Sequence, residues 1–178
     1  PCQKTSSDDR KRTIGVSILD SMTTSAIRTM VPDDRKSVIQ LLSDSEPWNT
    51  LGYGADDWSR IFCPLPLGRD CYIAERDGQV AGVAIVKQKF LLGDYLELLG
   101  VAVWARQKGV GGQLLRHIEE LVFKRTKNLF ACVSDFNEPA RAFYKKQGYL
   151  EIGPMPNFLI PGHAEILLRK TAGPVRKS

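Results

Sequence analysis

The sequence predicts an α/β fold with elements in the order β-α-α-β-β-β-α-β-α-β-β, and three observations carry that reading. An apolar, strand-like run over residues 96–103 leads through a glycine-rich loop straight into an amphipathic helix pattern. Two strand patterns, 71–75 and 80–86, flank Arg76-Asp77-Gly78-Gln79, whose Asp-Gly pair is a hairpin signal. A helix pattern over 138–147 stands between further strand patterns at 129–134 and 149–158. With 178 residues, 43% of them hydrophobic, the chain has the length of about one domain and enough apolar content for its core.

The elements follow in order. Residues 1–24 are polar, with Ser6-Ser7-Asp8-Asp9 and Arg10-Lys11-Arg12, and read as a flexible extension; Met22 is an alternative beginning of the folded unit. A short strand over 26–30 leads to Pro32-Asp33-Asp34, a helix-start signal, and Val38, Ile39, Leu41 and Leu42 give the helix one apolar side. Residues 45–54 are turn-rich, 55–62 form a second helix, and Pro64-Leu65-Pro66 ends it. After the hairpin, the strand 95–103 precedes the glycine loop. Leu114, Leu115, Ile118, Leu121 and Val122 make the buried stripe of the long helix beyond it. A last strand covers 165–168, so the folded domain is expected over 25–170, with a basic tail over 171–178.

Composition excludes several function classes. The net charge of +5 lies in the ends: residues 1–12 carry net +2 and 169–178 net +4, leaving about −1 between them. No basic stripe interleaved with aromatics crosses the body, so nucleic acid is disfavoured as a partner. The apolar stretches fall far short of a membrane span, and no basic-then-apolar signal segment opens the chain. Cys2, Cys63, Cys71 and Cys132 form no C-x-x-C pair and only two histidines are present, which disfavours a metal site. A reduced, cytoplasmic protein is expected; a Cys63–Cys71 disulfide carries little weight.

The chemistry starts at Arg106-Gln107-Lys108-Gly109-Val110-Gly111-Gly112. The first turn of a helix leaves backbone N–H groups unpartnered at the positive end of its dipole, which favours an anion there. Glycines at 109, 111 and 112 remove the Cβ atoms that would hold a pyrophosphate away. A dinucleotide fingerprint would need glycine where Leu114 stands, and a Walker loop would need Gly-Lys-Ser/Thr in place of Gly112-Gln113-Leu114. A second motif runs Asn137-Glu138-Pro139-Ala140-Arg141-Ala142-Phe143-Tyr144-Lys145-Lys146-Gln147-Gly148-Tyr149. Asn137 is a good N-cap, Pro139 suits the first turn and Gly148 suits the C-terminal end.

Arg106-x-x-Gly109-x-Gly111 resembles the (Q/R)-x-x-G-x-(G/A) motif of the GCN5-related N-acetyltransferases, and the second segment resembles that family's N-x-x-A-x-x-(F/L)-Y-x-x-x-G-(F/Y). The resemblance covers roughly residues 25–170. It implies a mixed, mostly antiparallel sheet splayed between its fourth and fifth strands and flanked by helices. It also implies acetyl-coenzyme A as donor, with no metal. The N–H groups of Gln107, Lys108, Gly109, Val110, Gly111 and Gly112 would bind the pyrophosphate, with charge from Arg106 and Lys108. Leu99, Val101 and Val103 would line the gap for pantetheine, which Asn137 borders.

Acetyl transfer to an amine requires a base to free the nitrogen lone pair and an acid to protonate the leaving sulfur. The resemblance makes Tyr144 the acid; the competing reading is a core aromatic with its hydroxyl at the edge. Glu97, interrupting the apolar strand Tyr95-Leu96-Glu97-Leu98-Leu99, is the candidate base; its alternative is a carboxylate paired with Arg or Lys on a neighbouring strand. Trp48, Tyr53, Asp56 and Phe158 are candidates for the acceptor side, against a reading in which the aromatics staple a long loop and Asp56 or Asp57 caps the second helix. Cys132 reads as a small buried hydrophobe rather than a nucleophile, so direct transfer in a ternary complex is expected. His117 falls among exposed helix positions, and Trp104 departs from the residues the family favours before the loop. The acceptor would be a small amine, an amino acid or a protein amine; homodimers are common in such families, and nothing here marks an interface. A degenerate member that binds coenzyme A as a sensor or partner-binding module is the alternative, and the intact Tyr144, Asn137 and glycine loop argue against it.

Overall fold

The computed structural model describes residues 25–64 and 67–176. The extension expected before residue 25, the Leu65-Pro66 pair and the last two tail residues lie outside the described residues. Among the described residues seven strands form one sheet: β1 (Ala26–Thr29), β2 (Arg69–Arg76), β3 (Gln79–Phe90), β4 (Gly93–Val101), β5 (Asn128–Ser134), β6 (Leu150–Pro156) and β7 (Ala164–Thr171). Among the described residues four helices flank it: α1 (Arg35–Ser43), α2 (Ala55–Phe62), α3 (Val110–Arg125) and α4 (Glu138–Lys146). The strand order is β1-β2-β3-β4-β5-β7-β6, and every pairing is antiparallel except β4 with β5.

That one parallel pairing organises the molecule. It holds only at Asp94↔Leu129, Tyr95↔Phe130 and Leu96↔Ala131. Beyond Leu96, β4 stays with β3 and β5 stays with β7, so the sheet opens into a wedge. The closed end is pinned tightly. A Cβ on Gly93 would lie 2.4 Å from the Asn128 carbonyl oxygen, so only glycine lets the two strands approach there. Asp94, 3% exposed, accepts from the Arg125 guanidinium at 2.6 Å and from the Lys89 N–H at 3.1 Å. Arg125 also donates to Asp70 at 3.1 Å, which ties β2 to the end of α3.

The sheet is covered on both faces because its strands and helices carry apolar stripes. From α3, Val110, Leu114, Leu115, Ile118 and Val122 are buried, while Leu121 is half-buried. Val38, Leu41 and Leu42 of α1 and Trp58 and Phe62 of α2 join the same core. Each fully buried leucine or phenylalanine contributes about 1.5–3 kcal/mol relative to exposure.

Several boundaries differ from the sequence reading for physical reasons. Pro32–Asp34 forms a 3-10 turn, and α1 begins at Arg35. Buried Asp34 anchors that turn, accepting from the Val31 N–H at 2.8 Å and from both Arg28 terminal nitrogens at 2.8 and 2.9 Å. Strand β3 runs on to Phe90 because Lys87 and Phe90 still pair with β4, although the polar residues 87–89 break the apolar pattern. Strand β4 ends at Val101, and Val103–Ala105 turns as a 3-10 element. His117 is half-buried edge-on against Tyr72, with ring centres 5.3 Å apart, rather than exposed. Cys63, Cys71 and Cys132 are free thiols.

Candidate functional site

The loop after β4 delivers an open helix end. Gly109 is the N-cap of α3 at φ +81°, a backbone conformation that favours glycine, and no side chain caps that end. Among the described residues, no backbone acceptor meets the N–H groups of residues 107–112; the ladder begins with Gln113 N–H to Gly109 O at 3.0 Å. A Cβ on Gly111 would make only ordinary contacts, 3.4 Å from Val101 and 3.7 Å from Phe143. Packing therefore does not demand glycine there, whereas an anion seated on the bare backbone would. Val110 is buried and anchors the turn from below.

Arg106 and Lys108 are exposed beside this cradle. The Arg106 Nε donates to the Val101 carbonyl at 3.4 Å, and the Lys108 ammonium stands 5.8 Å from the centre of the Trp104 ring. Trp104 thus holds Lys108 over the loop by cation–π attraction. Unpartnered N–H groups, the dipole of a 16-residue helix and two cations fit a diphosphate such as that of acetyl-CoA.

The wedge between β4 and β5 holds a cavity of about 600 Å³. Tyr95, Glu97 and Leu99 line it from β4, and Cys132, Val133 and Ser134 from β5. Asn137 and Tyr144 close it from α4, and Glu165 from β7. Val101 is half-buried beyond this lining, and Val103 stands 58% exposed on the 3-10 turn. The Asn137 Oδ1 accepts from the Ala140 N–H at 3.2 Å and so caps α4, which leaves its amide nitrogen for the gap.

Tyr144 is 7% exposed, set edge-on between Phe143 and Tyr149. Its hydroxyl has no hydrogen-bond partner among the described residues, and burial, then Cys132, pushes the phenol up, so it stays protonated at neutral pH. Cys132 is half-buried in the cavity wall, and burial pushes its thiol up, away from a thiolate. Tyr95 belongs to the same cluster: burial raises its phenol first, followed by Cys132, Glu97 and Glu165.

Glu97 meets Arg69, which donates from Nε to Oε2 and from Nη2 to Oε1, the latter at 2.9 Å. This is the paired strand carboxylate that was the alternative to a free base, although its partner lies two strands away. On the acceptor side, Tyr53 stacks on Trp58 at 5.1 Å and Trp48 meets it edge-on at 5.7 Å. These aromatics staple the loop and, with Phe158, line the cavity as well. Asp57 caps α2, accepting from the Gly54 N–H at 2.9 Å. Asp56 is exposed on the first turn of α2 and lies outside the cavity lining.

Three ionisable cavity residues escaped the sequence reading: Tyr95, Arg69 and Glu165. Glu165 carried a usable signal. Like Glu97, it is a carboxylate attached to an apolar strand, here Ile166-Leu167-Leu168. Among the described residues no His, Cys, Asp and Glu cluster suits a metal ion, and no helix is long and apolar enough to cross a membrane.

Comparison with known proteins agrees with this geometry. The family model described as acetyltransferase (GNAT) family matches residues 35–149. A 5-NmdU N-acetyltransferase of Pseudomonas phage PaMx11 is 26% identical over 131 residues, which is 71% of this chain and 88% of that protein. The peptidyl-lysine N-acetyltransferase YiaC of Escherichia coli (strain K12) is 27% identical over 130 residues, 69% of this chain and 82% of that protein. Among solved structures, an aminoglycoside 6'-N-acetyltransferase complexed with coenzyme A has the same fold, with a TM-score of 0.72 at 19% identity, covering 86% of this chain and 99% of that one.

Proposed function

The chain belongs to the acetyltransferase (GNAT) family, so acetyl-CoA is its donor, and we propose that it passes the acetyl group directly to a primary amine of a small molecule, an amino acid or a protein. The observation that carries this reading is the continuity of two features. The uncapped start of α3 leads along Val101 and Leu99 into a cavity that has in its wall a protonated Tyr144, unpartnered among the described residues.

Acetyl-CoA supplies an activated acyl group, and this chain supplies the rest. The N–H groups of residues 107–112, with Arg106 and Lys108, would hold the diphosphate, and the exposed edges of β4 and β5 would take the pantetheine as an added strand. Asn137 would border that arm. Tyr144 would give its proton to the departing sulfur. Glu97, held by Arg69, would draw the acceptor ammonium inward. Trp48, Tyr53 and Phe158 frame an opening suited to an amine on a slender arm. The relatives named for 5-NmdU and for peptidyl-lysine support a primary amine as the acceptor, on a nucleotide base in one case and on a protein in the other.

A screen of free-thiol release from acetyl-CoA against primary amines, from n-butylamine to lysine-bearing peptides, tests the proposal. Amine-dependent release is expected. Binding of acetyl-CoA without release on any amine would contradict it.

A further inference from the structure

A carboxylate that the sequence did not single out stands in the cavity wall without a cation. Glu165 is the second residue of β7, opposite Ser134 of β5 and Met155 of β6. It is 6% exposed and lines the cavity. Its Oε1 accepts from the Ser134 hydroxyl, itself on a residue 3% exposed. Among the described residues no lysine, arginine or histidine pairs with it. Burying a carboxylate with a single neutral donor is costly, and such a group at a cavity is a candidate for work on a ligand.

Glu97 makes the contrast. Both of its oxygens accept from Arg69, so an ammonium seeking the same side of the carboxylate must displace a guanidinium. Glu165 needs no such displacement. On the acetyltransferase reading, we propose that Glu165 is a catalytic residue: it receives the acceptor's ammonium and takes its proton, while Glu97 with Arg69 positions the amine.

The surroundings agree from every side. On β5 and just after it stand Cys132, Ser134 and Asp135, the last held by His163 at 3.1 Å. On β4 stand Tyr95 and the Glu97–Arg69 pair, on α4 Tyr144, and on β6 the neutral Met155. Burial, and then Asp135, raises the proton affinity of Glu165, while the Ser134 hydroxyl lowers it. A carboxyl raised in this way is a better base near neutral pH than an ordinary one.

The protons balance. The ammonium gives one proton to Glu165, which passes it to solvent. The freed nitrogen attacks the thioester carbon; the C–N bond forms and the C–S bond breaks. Sulfur takes its proton from Tyr144, and the second nitrogen proton restores the phenol. One proton is released per turnover.

The test compares kcat/KM against pH for the intact chain, Glu165→Gln and Glu97→Gln, using the best amine of the n-butylamine-to-peptide panel, with acetyl-CoA binding measured calorimetrically in each. Glu165→Gln is expected to lower kcat/KM about 100-fold and to remove the acidic limb, with acetyl-CoA affinity within about twofold of the intact chain; Glu97→Gln keeps the limb. Ser134→Ala retains the carboxylate but removes its donor. It should move the limb to higher pH, together with the Glu165 carbonyl titration followed by 13C NMR without acetyl-CoA. An acidic limb that survives in Glu165→Gln, or that vanishes in Glu97→Gln, overturns the assignment alone. An intact chain that binds no acetyl-CoA overturns the acetyltransferase reading with it.

Discussion

Arg69 on β2 reaches past the intervening strand β3 to hold both carboxylate oxygens of Glu97 on β4. The pair fixes one wall of the cavity, and each side chain is about one-third exposed, 33% for Arg69 and 31% for Glu97. Partly solvated pairs of this kind contribute about 1 kcal/mol or less. Arg69→Ala and Glu97→Gln should therefore each lower the urea midpoint slightly, and the double variant should cost less than the two singles combined. Strict additivity would mean that the two do not interact in solution.

Tyr144→Phe removes one oxygen from a hydroxyl that has no protein partner among the described residues, so the fold should tolerate it. The expected outcome is a kcat lower by about two to four powers of ten, the range for a lost general acid, with acetyl-CoA affinity unchanged. An unaltered kcat across the pH range would remove Tyr144 from the chemistry.

Gly93→Ala acts at the closed end of the wedge. Its Cβ would meet the Asn128 carbonyl oxygen at 2.4 Å, so β4 and β5 must part or shift register. A destabilisation of about 2–3 kcal/mol is expected, as for other overpacked sites, together with lower activity because the wedge changes shape. Thermal unfolding measures the first and thiol release the second. A variant as stable as the intact chain would show that the closed end is loosely held.

The Asp34–Arg28 pair has a definite pH signature. The Arg28 hydrogen bonds, and then the Val31 N–H, hold the Asp34 carboxyl below its ordinary value against the opposing effect of burial. A carboxyl depressed in the folded state contributes stability that is full above its unfolded pKa of about 4 and is lost as pH falls through the folded value. Asp34→Asn should cost about 2 kcal/mol near neutral pH, typical of a hydrogen bond to a charged group. The gap between variant and intact chain should close as pH drops below about 4. A gap independent of pH would contradict the ion-pair account.

How much of this was legible in the sequence depends on how local each feature is. The second helix was readable to its ends, residues 55–62, because its cap and its apolar spacing are both local. The glycine loop and the Asn137 cap were equally local, as Gly109 at φ +81° and the Asn137–Ala140 hydrogen bond show. The extension of β3 through Lys87 was hidden because it depends on a partner strand and not on an apolar pattern. The Arg69–Glu97 pair joins residues 28 apart across a third strand, and the Ser134–Glu165 contact joins residues 31 apart; neither leaves a trace in nearby spacing. The acceptor-side candidates divided for the same reason. Trp48, Tyr53 and Phe158 are brought to one opening by tertiary packing, while Asp56 is left outside it.

The most direct test of the central claim is calorimetric titration of acetyl-CoA into the intact chain and into Gly111→Glu. That substitution puts a carboxylate at the open end of α3, where the added Cβ itself meets nothing closer than 3.4 Å. The account predicts stoichiometric binding to the intact chain and loss of binding in the variant, whose thermal stability should be nearly unchanged. Equal binding to both would contradict the assignment of residues 107–112 as the diphosphate cradle, and no binding to the intact chain would contradict the function itself.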